Sequence, residues 1–483
     1  MSEHGSFSNE PSYLDDDDSS GRGVVRIASV AALGGFLFGY DSAVINGAVS
    51  AIEDQFQVSG TVLGFAVASA LLGAAAGAMS AGRFADRFGR LFTMKVAAVL
   101  FLISAIGAGL ATNVFWLVVY RIIGGAGVGV ASVIAPAYIA EIAPARIRGR
   151  LGSLQQLAIV TGIFISLAVD YVFAVAAGGS REPFWFGLEA WRWMFIAMAV
   201  PSVVYGLMAL TIPESPRYLV AKGRIPEARK ILGALLGERN LDSTIDRIKQ
   251  TLNVEKPPSW RDLRSGPGGK IVPIVWVGLA LSVFQQFVGI NVIFYYSNIL
   301  WEAVGFSEDD SFKITVFTAV VNIATTLIAI ATVDKFGRKP LLLIGSAVMA
   351  VTLATMAVIF GTATVGASGI PELGDTAGMI ALVAANLFVV GFGMSWGPVV
   401  WVLLGEMFPN RIRAAALSLA AAGQWVANWL ITVSFPPLKD LSLGLAYGFY
   451  ALCAVLSLFF VARFVQETKG RALEDMTADA PGH

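Results

Sequence analysis

The sequence is short of the residues on which catalytic, metal-binding and disulfide-linked proteins depend. Cys453 is its single cysteine, which excludes an intramolecular disulfide and a cysteine cluster for a metal. Its two histidines, His4 and His483, lie at the ends of the chain and offer neither a buried proton relay nor a catalytic base. A G-x-x-x-x-G-K-[ST] stretch for ATP phosphates is also lacking. We therefore expect no enzyme activity, no metal site and no cofactor.

Charge is scarce as well. Only 14% of the 483 residues are charged, whereas soluble domains carry about 25%. The net charge is zero, which gives no reason to expect a nucleic acid partner. In contrast, 56% of the residues are hydrophobic and the mean hydropathy is +0.70. The chain is therefore predicted to lie in a lipid bilayer.

Twelve apolar stretches give this prediction its detail. Each is about 20 residues long, which is the length with which a helix crosses roughly 30 Å of hydrocarbon. The sequence thus predicts an all-α membrane protein with 12 transmembrane helices. Their centres lie near residues 38, 70, 102, 127, 162, 202, 284, 323, 350, 391, 422 and 453.

Lys and Arg concentrate in the loops after the even-numbered helices. Because short cytoplasmic loops carry an excess of basic residues, both termini are predicted to be cytoplasmic. The sequence contains no N-x-[ST] sequon and its outer loops are short, which favours a bacterial inner membrane. The basic residues of the even-numbered loops are Arg83, Arg87, Arg90, Lys95, Arg146, Arg148, Arg150, Lys335, Arg338, Lys339, Arg411 and Arg413.

Three charged motifs occur twice, in the same order. Such a duplication predicts two six-helix halves in parallel repetition, the layout of a rocking transporter whose site lies between the halves. The pairs are DRFGR at 86–90 with DKFGR at 334–338, EIAPARIRG at 141–149 with EMFPNRIRA at 406–414, and PESPR at 213–217 with QETKG at 466–470.

A polar connection between helices 6 and 7 separates the halves. IPEARKILGAL (225–235) and LDSTIDRIKQTL (241–252) have helical spacing with mixed charge, which favours a helical linker over a separate enzymatic domain. The predicted parts are a disordered cytoplasmic tail at 1–23, an N-terminal six-helix half at 24–213, a cytoplasmic helical linker at 214–270, a C-terminal six-helix half at 271–466 and a cytoplasmic tail at 467–483.

The duplicated motifs place acids and bases on the cytoplasmic side of both halves. Basic loops alone would only fix the orientation of the helices, but two copies of paired Glu and Arg groups can form a latch between the halves. Exposed pairs contribute about 0 to 1 kcal/mol each, which suits a latch that opens in every cycle. We predict that this ion-pair network consists of Arg90, Glu141, Arg148, Glu214, Arg217, Arg338, Glu406, Arg413 and Glu467.

The first predicted helix contains one formal charge. Asp41 is the only charged residue between Arg26 and Glu53, and a charge near the bilayer centre costs about 2.5 to 3.5 kcal/mol on insertion scales. Arg121, in helix 4, is its natural partner. Arginine stays protonated, whereas aspartate can be either ion-paired or neutral. We predict that Asp41 and Arg121 couple transport to protons; the alternative is a static structural ion pair.

The most distinctive stretches form one pattern: GFLFGYD, RFADRFGR, YRIIGGAGVG, PAYIAEIAPARIRG, PESPRYL, QQFVGINVIFYYS, VDKFGRKPLLLIG, SWGPVVWVLLGEMFP and ETKGR. This pattern resembles the sugar porter family of the major facilitator superfamily from about residue 25 to 475. Within the family, the chain resembles most the bacterial glucose and xylose proton symporters, and it is similar to the mammalian glucose facilitators. It departs from the pattern at Leu91, where a base is common, and at Gln466, where proline is usual.

Helix 7 concentrates polar side chains within three turns around Gly289. A neutral sugar needs amides, which donate to and accept from hydroxyls, and an aromatic surface for its C–H faces. A single buried amide would instead suggest contacts between helices. The resemblance implies sugar contacts from Gln156, Gln285, Gln286, Asn291, Asn322, Trp396 and Gln424, with Phe38, Tyr295, Tyr296, Trp425 and Asn428 as further residues lining the cavity.

Facilitators of this family carry Asn at the position that matches Asp41, whereas proton symporters carry Asp. The resemblance therefore implies proton-coupled import of a monosaccharide by alternating access, with D-glucose as first choice and xylose or galactose as further candidates. A monomer is expected. The alternatives are a sugar uniporter and, further off, a sugar sensor that does not transport.

Overall fold

The computed structural model describes residues 18–142, 148–236, 241–254, 262–264, 269–365, 371–409 and 412–468. Within these ranges, 12 helices are long and apolar enough to cross a membrane, which confirms the predicted number. We call them spans 1 to 12. The first six spans are α1 (Asp18–Ala43) with α2 (Ile45–Phe56), α3 (Gly60–Phe88), α4 (Arg90–Gly109), α5 (Val114–Ile142), α6 (Arg148–Ala177), and α7 (Ala190–Ala197) with α8 (Ala199–Met208).

The connection between the halves is helical. It contains α9 (Pro216–Ala221), α10 (Ile225–Leu236), α11 (Leu241–Val254) and a 3-10 turn (Asp262–Arg264). The three α-helices share a small apolar core formed by Tyr218, Leu219, Val220, Ala228, Leu232 and Ile245.

The second half repeats the architecture of the first. A short β-hairpin, β1 (Thr364–Val365) with β2 (Pro371–Glu372), lies between spans 9 and 10. Spans 7 to 12 are α12 (Pro273–Phe287) with α13 (Ile290–Ala303), α14 (Glu308–Phe336), α15 (Arg338–Gly361), α16 (Asp375–Gly393) with α17 (Trp396–Met407), α18 (Arg413–Leu441) and α19 (Leu443–Phe464).

Helix α1 corrects one expectation. It begins at Asp18, inside the tail 1–23 that was predicted to be disordered. Asp and Ser, the residue types at positions 18 to 20, are favoured at helix N-termini, where they satisfy free N–H groups and interact with the helix dipole. Residues 1–17 and 469–483 lie outside the described residues. The other domain boundaries stay predictions.

Glycines make the sharp turns of the duplicated D-[RK]-F-G-R motif. Gly89 (φ +102°) separates α3 from α4, and Gly337 (φ +87°) separates α14 from α15. Residues with a side chain rarely adopt such angles, so glycine lets the chain pass directly from one span to the next. We call the end of the bundle with these two turns the basic face, and the other end the opposite face.

Four spans are interrupted within the bundle. In span 7 the interruption includes Gly289, which has φ +83°. A Cβ atom there would come within 2.7 Å of the Tyr450 ring. Interrupted helices free backbone N–H and C=O groups, which are tolerated in a membrane where protein or a water-filled cavity surrounds them. The interruptions lie at Val44, at Met198, at Val288 and Gly289, and at Met394 and Ser395.

The two halves contact each other through spans 2 and 11 and through spans 5 and 8. Small residues permit this proximity, because a Cβ atom on Gly64 of α3 would collide with the carbonyl oxygen of Val433 on α18. On the other side, Tyr171 of α6 packs against Phe312 of α14. Span 1 also contacts span 7, through α2 and α13.

Candidate functional site

Asp41 and Arg121 lie together inside the first half. They are 1% and 2% exposed. Arg121 Nη1 donates to the backbone carbonyl oxygen of Asp41 at 2.9 Å, whereas the carboxylate Oδ2 of Asp41 is 3.8 Å away. Within the described part of the chain, neither Asp41 Oδ2 nor Arg121 Nε has a hydrogen-bond partner. The structure therefore brings the predicted pair together loosely, with the guanidinium nearer to the backbone than to the carboxylate.

The surroundings of this pair reach into the second half. Gly124 makes room for the carboxylate, because a Cβ atom there would lie 2.7 Å from Asp41 Oδ1. Tyr295 of α13 interacts electrostatically with both Asp41 and Arg121, and its hydroxyl shares a hydrogen bond with Asn428. Span 7 of the second half therefore contributes a residue to the surroundings of the first-half pair.

Gln285 joins three spans of the second half. Its Nε2 donates to the backbone carbonyl oxygens of Trp396 at 2.9 Å and Gly397 at 3.2 Å. Its Oε1 accepts from Gln424 Nε2 at 2.6 Å. Both ends of the amide are thereby engaged by the protein. Gln285 holds the start of α17 in place. A ligand would therefore bind to neighbouring amides, which have groups without a partner in the described part of the protein.

Other amides near Gly289 retain groups for a ligand. Asn291 Nδ2 donates to Gln286 Oε1 at 2.5 Å, which leaves the Gln286 nitrogen and the Asn291 oxygen for other partners. Gln156 on α6 is exposed, and Asn322 on α14 is half-buried. The carbonyl oxygen of Gln424 is similarly left for other partners. Such a set offers donors and acceptors without net charge, as sugar hydroxyls require.

The aromatic residues separate into buried and accessible ones. Trp396, predicted to contact sugar, is 0% exposed, and its indole N–H donates to Leu342 and Ser346 of span 9. In this conformation the ring is thus enclosed and the backbone carbonyl oxygen accepts from Gln285, and the sugar contact of Trp396 stays a prediction. Trp401 lies one turn beyond Gly397 and is 46% exposed. The sequence contained this second tryptophan, but spacing alone did not reveal which ring is buried.

The residues predicted to line the cavity also differ in exposure. Tyr296 is fully buried and donates to the carbonyl oxygen of Thr432 at 2.8 Å. Tyr295 and Asn428 are buried, whereas Phe38 and Trp425 are half-buried. Phe38 lies on α1, one turn before Asp41, and packs against the hydrophobic core.

One cluster of predicted latch residues lies at the basic face of the first half. Arg90 forms two bonds to Glu141, at 2.8 and 3.1 Å. The hydroxyl of Ser215 donates to Glu141. Glu214 accepts from the backbone N–H groups of Arg90 and Leu91 at 3.0 and 3.3 Å, and thus caps α4.

A second cluster repeats this arrangement in the second half. Arg338 forms two bonds to Glu406, at 2.7 and 3.0 Å, and Thr468 donates to Glu406 at 2.5 Å. Glu467 accepts from the N–H groups of Arg338 and Lys339, both at 3.0 Å. The described pairs thus form two clusters, one per half, and a latch between the halves stays a prediction.

The three remaining residues of the predicted latch are Arg148, Arg217 and Arg413. Arg217 lies in α9 and has an interaction partner. Arg148 and Arg413 are the first residues of α6 and α18, and their side chains lie outside the described part of the structure.

At the opposite face, polar bonds join the two halves. Asn46 Nδ2 donates to the Phe294 carbonyl oxygen at 3.1 Å, and Asn46 Oδ1 accepts from the Asn298 N–H at 3.0 Å. Ser50 donates to Glu302 at 3.1 Å. These bonds connect α2 of span 1 with α13 of span 7, so the opposite face is closed in this conformation.

The rim of the opposite face adds exposed ion pairs. Arg181, in the loop after span 5, pairs with Asp54 at 2.9 Å and with Glu302 at 4.0 Å. The neighbouring Ser180 N–H donates to Glu308 at 2.8 Å. Because Arg181 and Asp54 are about half exposed, this rim contact is expected to be weak.

A second buried carboxylate was missed by the sequence analysis. Asp170, in span 5, is 0% exposed. It is the only charged residue between Arg150 and Arg181, so the signal that identified Asp41 was also available here. Its Oδ2 accepts from the Gly47 N–H at 3.2 Å, on the far side of the interruption in span 1.

Comparisons with known proteins agree with this geometry. Residues 27–480 match the sequence profile described as sugar (and other) transporter. The chain is 57% identical over 455 residues to the glucose transport protein of Synechocystis, covering 94% of this chain and 97% of that one. It is 38% identical over 488 residues to the D-xylose-proton symporter of Escherichia coli, covering 94% and 95%. It is also similar to an inward-open structure of the E. coli xylose transporter, with a TM-score of 0.79, 38% identity and coverage of 94% and 99%.

Proposed function

The chain belongs to the sugar transporter family, and from this premise we propose that it imports a monosaccharide, D-glucose first, together with a proton. The basic face is cytoplasmic and the opposite face is the outer one, as the loop charges indicate. The two halves rock about a site between spans 1, 4, 7 and 10. The chain acts as a monomer in a bacterial inner membrane.

The contact between Arg121 and the backbone of Asp41 carries this proposal. An ionised Asp41 would attract the guanidinium to its carboxylate, since charge-assisted hydrogen bonds are among the strongest in proteins. Instead, Arg121 Nη1 binds the carbonyl oxygen, and Asp41 Oδ2 has no hydrogen-bond partner among the described residues. This is the geometry expected of a protonated Asp41, with the outer face closed.

The cycle follows from that contact. With the outer face open, Asp41 takes a proton from outside and weakens its hold on Arg121. The sugar-loaded halves then close at the outer face, where Asn46 meets Asn298. At the cytoplasmic face the halves part, the sugar leaves and the proton follows. When the halves close again at the cytoplasmic face, we expect the two Arg–Glu clusters to form the latch.

The sugar site lies mainly in the second half. Gln286, Asn291 and Gln424 offer amide groups to hydroxyls, and the exposed Gln156 of span 5 is the contact that we assign to the first half. Trp401, with its exposed ring, is the aromatic surface that we assign to the C–H face of the sugar. Glucose is the first choice because the glucose transport protein of Synechocystis is 57% identical to this chain.

Sugar uptake into proteoliposomes in a weakly buffered medium tests the proposal. Proton-coupled import removes protons with the sugar, so adding glucose should alkalinise the medium, and a protonophore should abolish accumulation. Competition by unlabelled xylose and galactose then ranks the sugars. Uptake without a pH change would make the protein a uniporter, and binding without uptake would make it a sensor.

A further inference from the structure

The interruption of span 1 is held from both sides by side chains of other spans. Before it, Arg121 of span 4 binds the carbonyl oxygen of Asp41. After it, Asp170 of span 5 accepts from the N–H of Gly47. The first N–H groups of a helix lack partners within that helix, and α2 begins at Ile45. Val44, at the N-cap position, provides no side-chain bond, so Asp170 takes the place of a capping residue.

The space around this carboxyl group is closely fitted. A Cβ atom on Gly47 would lie 2.6 to 2.7 Å from Asp170 Oδ2, Cβ and Cγ, so only glycine admits the carboxyl group here. The other oxygen, Oδ1, has no hydrogen-bond partner among the described residues. The helix dipole favours a negative charge at this position, but by only about 0.3 to 2 kcal/mol. That is far less than the penalty for burying an unpaired ionised carboxylate, which neutralises instead.

On the elements that pack against α6, Arg22 and Arg26 of α1 and Lys335 of α14 lie toward the basic-face ends of their helices. The other three bases lie close to acids other than Asp170. Arg121 lies beside Asp41, Arg192 pairs with Glu189, and Lys313 pairs with Asp309. Tyr40 of α1 interacts electrostatically with Asp170, and its hydroxyl also has no partner in the described part of the chain. The acids on those elements and on neighbouring α13 are Asp18, Asp41, Glu53, Asp54, Glu141, Glu302, Glu308, Asp309, Asp310 and Asp334, and Glu189 directly precedes α7.

Residues of the second half help to bury the region around Asp170. One turn away on α6, Leu167 packs with Ala43 of span 1 and Ala319 of span 8. Tyr171, next to Asp170, contacts Phe312 of span 8. Span 8 belongs to the half that moves relative to spans 1 and 5. When the halves part at the outer face, water therefore reaches the level of Asp170.

We propose that Asp170 is a second protonatable group, which binds a proton from the outside when the outer face closes and returns it when that face reopens. The inference rests on the alternating access of the proposed function. The step is the addition of one proton to one carboxylate, without transfer across the membrane. Asp41 couples transport, whereas Asp170 makes the closing of the outer face depend on external pH. Because the closed state holds the extra proton, low pH favours it.

Distance measurements between spin labels test this assignment. Glu182→Cys and Leu441→Cys place labels on exposed outer positions of the two halves, and Cys453→Ala removes the native thiol. The samples also carry Asp41→Asn, which removes the other buried carboxyl group. The ratio of closed to open outer face should rise as the pH falls, by up to about tenfold per pH unit for one proton. Adding Asp170→Asn should give a closed outer face at every pH.

A matched control and a second readout complete the experiment. Asp54→Asn removes a half-exposed acid of α2 and should leave the pH dependence in place. An infrared band of a protonated carboxyl group should be present with Asp41→Asn alone and vanish when Asp170→Asn is added. An unchanged pH dependence in the double variant, or no such band, overturns the assignment. If the labels respond as expected but the unsubstituted protein carries no sugar, the proposed function fails and the assignment of Asp170 stands.

Discussion

The two halves of the molecule use the same side chains at the basic face. Arg90 binds Glu141 in the first half at 2.8 Å, and Arg338 binds Glu406 in the second at 2.7 Å. In each half a further glutamate caps the helix that begins with that arginine. The two turns of the D-[RK]-F-G-R type therefore have the same structure, with the same contacts in both halves.

In the middle of the membrane the halves differ. Asp41 ends the sequence Gly39-Tyr40-Asp41 and lies 49 residues before Arg90. Asn291 ends the sequence Gly289-Ile290-Asn291 and lies 47 residues before Arg338. The two spacings differ by two residues, and the shared Gly-x-[Asp/Asn] pattern aligns Asp41 with Asn291. The carboxylate of one half is an amide in the other.

The partner of Asp41 has changed in the same way. Arg121 precedes Glu141 by 20 residues, and Asn386 precedes Glu406 by 20 residues. A charged pair in the first half thus matches two amides in the second. In this comparison, we expect both halves to contribute equally to closing the basic face. We assign proton binding to the first half and sugar binding to the second.

The largest effect is expected from a substitution that breaks the pair of Asp41 and Arg121. Arg121→Gln leaves Asp41 without a cation, and removing one partner of a buried pair costs about 3 to 5 kcal/mol. Gradient-driven uptake should fall by about 100-fold or more. The matched control is Asn386→Gln, which should retain most of the uptake. Similar losses in the two variants would contradict a division of labour between the halves.

The next effect should be equal in the two halves. Glu141→Gln and Glu406→Gln each replace a charged hydrogen-bond acceptor, which is worth about 1.5 to 3 kcal/mol. We expect about a tenfold or greater loss of transport rate in each, with the two values within threefold. Asp86→Asn, which removes an exposed partner of Arg90, is the control and should have little effect. A large loss from only one of the two glutamate variants would show that the clusters are not equivalent.

A smaller effect separates two neighbouring amides of the second half. Gln286→Ala removes a group available to the sugar and should raise the KM for sugar about tenfold, with little change in kcat. Gln285→Ala removes the bonds that hold α17 and should lower kcat as well. Uptake at varied sugar concentration measures both. If both variants change KM alone, Gln285 has no positioning role.

The smallest effect is expected at the outer rim. Arg181→Gln removes a half-exposed pair with Asp54, and such pairs contribute about 0 to 1 kcal/mol. Uptake should change less than about fivefold and should become less sensitive to salt. A larger loss would make the rim pair a principal contact of the closed state, rather than Asn46 with Asn298.

Sequence reasoning was strongest where one property decides the structure. Hydropathy and length gave the 12 spans, and repeated charges gave the duplication. It was weaker for side-chain direction, because neighbouring positions on a helix point about 100° apart and an interruption changes that phase. Hence the sequence could not show that the ring of Trp396, which the resemblance implies at the site, is buried here, or that the ring of Trp401 is exposed. The sequence marks Asp170 as a lone charge in an apolar span, but it cannot show that the partner of this carboxyl group is a backbone N–H.

The most direct test of the division between the halves uses Asp41→Asn in proteoliposomes. Sugar counterflow needs binding and rocking but no proton gradient, whereas accumulation needs both sugar and proton. We predict that Asp41→Asn keeps counterflow near the rate of the unsubstituted protein and loses accumulation driven by a pH gradient. Accumulation that survives this substitution would contradict the assignment of proton coupling to Asp41 and Arg121.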